Sequence, residues 1–113
     1  MPHCIIEYSS DLHTIVKPDQ LIGAVFAGAL NSKLFEAYDI KTRALCFDNY
    51  QTGPVKNAFI HVVVKILSGR TAEQRSILSG LVLTELKSFD FVSTSLTVEV
   101  VEIERSSYAK VLM

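Results

Sequence analysis

A proline stands directly after the initial methionine in MPHCIIEYS. An initiator methionine is normally removed when the next residue is small, and proline qualifies. The chain would then start with a secondary amine instead of an amide. An unperturbed α-amine titrates at roughly 7.7–8.0. Burial and nearby cations disfavour its protonated form and lower that value. The neutral amine can accept a proton near pH 7, which is what a general base must do. Pro2 is therefore the leading candidate for a catalytic group, on the condition that Met1 is absent. A retained Met1 would leave Pro2 nitrogen as an amide with no basic lone pair.

Arg70 is the second candidate. It lies between an apolar run that ends at Leu67 and a helix start marked by Thr71 and Gln74. Free N–H groups and the helix dipole favour an anion at such a junction, and a guanidinium grips a carboxylate with two parallel hydrogen bonds. The remaining reactive side chains read more plainly. His61 reads as a satisfied interior residue of a strand. His3 faces away from the Pro2 side, and His13 falls in a loop. Cys4 and Cys46 read as free thiols packed in strands. No cysteine or histidine spacing matches a metal site, so no metal is expected.

The elements that must position these groups alternate. Cys4–Tyr8 is a short apolar strand, and the polar SSDLHT behind it reads as a turn. Pro18 suits the first turn of a helix, and Leu21, Val25 and Ala29 give that helix a buried side. Gly23 and Gly28 within it fit close packing on a sheet. Ile40–Phe47 reads as a second strand and DNYQTGPVKN as a loop. Ala58–Leu67 is the clearest strand: Ile60, Val62, Val64 and Ile66 share one face, while Phe59, His61, Val63, Lys65 and Leu67 share the other. Thr71 and Gln74 have capping-box spacing. Ile77, Leu78, Leu81, Val82, Leu86 and Phe89 then form a broad apolar helix face. TVEVVEIE is a fourth strand, whose apolar phase shifts between Val100 and Val101 and predicts a bulge or a change of burial. SSYAKVLM reads as a tail that docks on a neighbour.

The order is β-α-β-β-α-β, an α/β (α+β) arrangement within a single domain over 1–113. Its commonest form is the ferredoxin-like split β-α-β, and order alone does not choose the strand arrangement. Of the 113 residues, 49% are apolar, enough for a packed core. Eleven basic and twelve acidic residues nearly cancel, leaving no field for a nucleic-acid backbone. The longest apolar stretch is too short to span a bilayer. A soluble, cytosolic protein without a nucleic-acid or membrane partner is the expectation.

Three blocks, MPHCIIEYS, IKTRA and NAFIHVVVKILSGRTAEQR, are together similar to the 5-carboxymethyl-2-hydroxymuconate isomerases of the tautomerase superfamily. The resemblance implies two β-α-β halves of parallel strands related by a pseudo-two-fold axis. They form one four-stranded mixed sheet with both helices on one face, the tautomerase fold. It also implies a homotrimer with sites at subunit boundaries, no cofactor, and a small-molecule carboxylate substrate. Pro2 matches the family's catalytic base. Gly69-Arg70 matches its substrate-binding arginine. Lys41 stands where the family's Ile-Arg-x-Arg element has its first arginine; it keeps the charge and loses the planar fork. Arg43 matches the second arginine, and Tyr8 is assigned to the pocket lining. The implied activity is tautomerisation or isomerisation of a small unsaturated 2-oxo or 2-hydroxy carboxylate. Two alternatives stand beside it: a non-catalytic trimer kept for binding or structure, which Lys41 favours, and a ferredoxin-like ligand-sensing module.

Overall fold

The computed structural model describes residues 1–113. Four strands, β1 (Pro2–Ser9), β2 (Lys41–Phe47), β3 (Ala58–Leu67) and β4 (Thr94–Ile103), form one sheet in the order β2-β1-β3-β4. β1 and β2 are parallel, β3 and β4 are parallel, and the two central strands are antiparallel. Each β-α-β half thus keeps its own strands adjacent, and the strand order and directions relate the halves by a pseudo-two-fold axis between β1 and β3. A ferredoxin-like sheet splits those pairs, so that alternative is excluded.

Strand alternation decides where the core lies. Cys4, Ile6 and Tyr8 of β1 and Ile60, Val62, Val64 and Ile66 of β3 are buried on one face. Two helices, α1 (Pro18–Asn31) and α2 (Ala72–Leu86), cover that face with Leu21, Val25, Ala29, Leu78, Val82 and Leu86. The helix starts follow from local chemistry. Pro18 opens α1, where its missing N–H is no loss, and the Gln20 side chain accepts from Lys17 N–H at 2.8 Å. At α2 the Thr71 hydroxyl accepts from Gln74 N–H at 3.1 Å, while Thr71 N–H donates to the Gln74 side chain at 2.9 Å. The capping box forms as its spacing predicts.

Several expectations need correction. Gly28 packs against α2, not the sheet: a Cβ there would lie 2.7 Å from Val82 Cα. Ile77 is half exposed, and α2 ends at Leu86, short of Phe89. β4 begins at Thr94, and its pairing with β3 runs through Val100 and Val101 without a bulge. The phase shift is a change of burial: Val100 packs against the core and Val101 points to the opposite face. Cys4 is buried, but Cys46 is exposed.

Candidate active site

Register brings the first candidates together. Pro2 pairs with Ile66 near the end of β3, and His3 pairs with Lys41 at the start of β2. The chain start thus lies between the beginning of β2 and the segment that leaves β3. That segment turns at Gly69, whose φ of 124° suits glycine, and delivers Arg70. The Arg70 guanidinium reaches back to the segment after α1. It donates to Leu34 O at 2.7 Å and lies 5.8 Å from the centre of the Phe35 ring. It does not cap α2, which is closed by its own Thr71–Gln74 pair.

Two hollows meet at Met1. One, of about 60 Å³, is lined by Met1, Phe35, Ile66, Leu67, Arg70 and Arg105. The other is a cleft of about 640 Å³, whose walls include Met1, Tyr38, Asp39, Lys41, Tyr108 and Lys110. Lys41 Nζ donates to Asp39 O at 3.1 Å, and the Asp39 carboxylate faces Lys110 at 3.8 Å. The Pro2 side chain is fully buried beneath this junction.

The electrostatics of the chain start disfavour a protonated amine there. The Met1 α-ammonium is held below its ordinary value of 8.0, first by burial, with Lys110, Lys41 and Arg70 adding to the effect against the opposing Asp39. This amine stands one residue before the Pro2 nitrogen. His3 is also held below its ordinary value, by burial first and then by Arg43 and Lys41.

The structure sorts the remaining candidates. Arg43 does not line either hollow at Met1. Its Nη1 donates to His3 Nδ1 at 3.2 Å on the helix-free face of the sheet. Because a guanidinium can only donate, His3 Nδ1 accepts and Nε2–H donates to the Tyr108 hydroxyl at 2.9 Å. Tyr8 is buried on the helix side, hydrogen-bonded to His13 at 2.9 Å. It lies six residues along β1 from Pro2, about 20 Å at strand rise. Within one copy of the chain it does not line the hollows at Met1. His61 is half-buried on the helix-free face, not interior, and its two nitrogens meet Thr97 at 2.7 Å and Glu99 at 2.6 Å. Sequence reasoning missed Arg105, Phe35 and Tyr108. No local motif marks them, and only the folded chain brings them to the start of β1.

The family model for 5-carboxymethyl-2-hydroxymuconate isomerase matches residues 2–111. The chain belongs to that family. No curated protein matches it significantly. Among solved structures, it is similar to a 5-carboxymethyl-2-hydroxymuconate delta-isomerase, with a TM-score of 0.83 and 12% identity over 100% of this chain and 88% of that one. It is also similar to a 5-carboxymethyl-2-hydroxymuconate isomerase from Deinococcus radiodurans R1, with a TM-score of 0.69 and 22% identity over 96% and 87%. A third is a fused 4-OT wild-type symmetric trimer, with a TM-score of 0.79 and 15% identity over 96% and 90%. The fold is that of the tautomerases, and family and fold together support an isomerase.

Proposed function

We propose that the protein is a cofactor-independent tautomerase or isomerase that moves a proton on a small unsaturated 2-oxo or 2-hydroxy carboxylate. In this reading Met1 is removed and Pro2 nitrogen is the general base. The observation that carries it is the place of Met1, which lines both hollows at once. Taking Met1 away opens the space between them and leaves the Pro2 amine facing it. Lys41 and Arg70 would then hold a carboxylate and offset negative charge on the dienolate formed as the proton leaves. The amine would return that proton to a conjugated carbon of the same molecule, so no redox partner is required. Three copies of the chain form the working unit, and the cytosol is its setting.

The test begins with intact mass, which should lack one methionine. Ketonisation of 2-hydroxymuconate should then be followed for the free-terminus protein, for Pro2→Ala, which keeps a primary amine, and for protein with its terminus chemically blocked. Blocking should abolish turnover, whereas Pro2→Ala should retain part of it. A blocked protein as active as the free one would rule out the Pro2 mechanism.

A further inference from the structure

Arg105 follows β4 in a short 3₁₀ turn, Arg105–Ser107, far in sequence from Pro2 and Arg70. Its side chain nevertheless reaches across the Gly69 turn: Nη2 and Nε lie 3.5 and 3.8 Å from where a Gly69 Cβ would be. Nε donates to Ser68 O at 2.5 Å. Arg70 is likewise fixed to a backbone carbonyl. Arg70 and Arg105 line the same hollow of about 60 Å³, and neither makes an ion pair within the chain. Two cations in one small cavity repel unless an anion joins them. Each is anchored through one nitrogen, which leaves other N–H groups to donate. The hollow has room for a carboxylate group but not for a whole substrate, whose body must lie in the larger cleft beside it.

We propose that Arg105 is a substrate-binding residue that, with Arg70, takes one carboxylate of a dicarboxylate, while Lys41 faces the other end of the molecule. The inference rests on the isomerase reading for its site and adds Arg105 to the residues that meet the substrate's carboxylates. Arg105 is thereby the residue that separates a dicarboxylate from the corresponding monocarboxylate. A hydrophobic pocket discriminates weakly against small changes, whereas a site built to pair a polar group rejects the analogue that lacks it.

The test is binding, so it does not depend on turnover. trans,trans-Muconate and sorbate share a six-carbon diene and differ by one carboxylate against a methyl group. Their affinities for the Met1-processed protein can be measured by calorimetry, alongside Arg105→Gln and Arg105→Lys. Wild type should bind muconate more tightly than sorbate. Arg105→Gln should weaken muconate about tenfold or more and leave sorbate within about twofold, with Arg105→Lys between them. Circular dichroism confirms that both variants are folded, and Arg105→Lys tests the site if Arg105→Gln does not fold. Equal losses for both ligands, unchanged muconate affinity in the folded variants, or no preference in wild type would each overturn the assignment. If muconate binds as expected and 2-hydroxymuconate is not turned over, the binding role stands and the isomerase reading fails.

Discussion

Around Met1, the cations Lys41, Arg70, Arg105 and Lys110 are answered by one carboxylate, Asp39. This imbalance sets the pH behaviour of a base at the chain start. Under the proposed mechanism the base works in its neutral form, and the burial, Lys110, Lys41 and Arg70 that hold the Met1 amine below 8.0 against Asp39 would act on the Pro2 amine in the same direction. On raising the pH, kcat/KM should climb along one acid limb, displaced below the range of a free α-amine. Lys41→Gln removes one of those cations and should move the limb to higher pH. A limb that stays in place in that variant would show that Lys41 does not tune the base. At this scale the sequence was partly legible. Pro2, Lys41 and Arg70 each fall within a short, distinctive run of sequence, and the structure brings those runs to the chain start. Tyr8 lies a strand's length from Pro2, although the two share a face, so in a pocket at the Pro2 end it would have to come from another copy of the chain. Arg105 was invisible because it arrives by a turn after β4, and only the fold sets that turn against Gly69.

Among the elements, the contact of α1 with α2 depends on Gly28. A methyl group there would meet backbone atoms, Val82 Cα at 2.7 Å and Leu81 O at 3.0 Å, and backbone cannot rotate away. Gly28→Ala should therefore destabilise the protein by about 1–3 kcal/mol, despite alanine's better helix propensity. Urea denaturation checks this, and an unchanged or raised midpoint would show that the helices move apart freely. Gly23, in the same helix, has nothing near its virtual Cβ, so Gly23→Ala is the natural control. Both glycines look alike in sequence, since helical spacing reveals a close approach but not its partner. The strands were legible because each carries a period of two. β4 starts three residues before Thr97 because Thr94 and Ser95 give no apolar signal, and of the two readings of its phase shift, a bulge or a change of burial, the second holds.

For the whole molecule, that second apolar face is the main surface feature. Ile5, Val63, Leu67 and Val101 lie on the side of the sheet that no helix covers. Apolar area of this kind usually marks an interface, and the proposed trimer would bury it between the open faces. Val63 lies in register between Ile5 and Glu99. Val63→Lys should break the trimer into monomers, seen by sedimentation velocity, while the helix-side core stays folded. A variant that remains trimeric would place the interface elsewhere. The two-fold relation between the halves has a consequence for stoichiometry. Its counterpart of the β1 start is the start of β3 at Ala58, whose nitrogen is locked in an internal peptide bond. A reaction that needs a chain terminus can therefore use only one of the two equivalent positions. Under the proposed mechanism, two halves in one polypeptide make a duplicated architecture with unduplicated chemistry, and the Ala58 end is free to diverge.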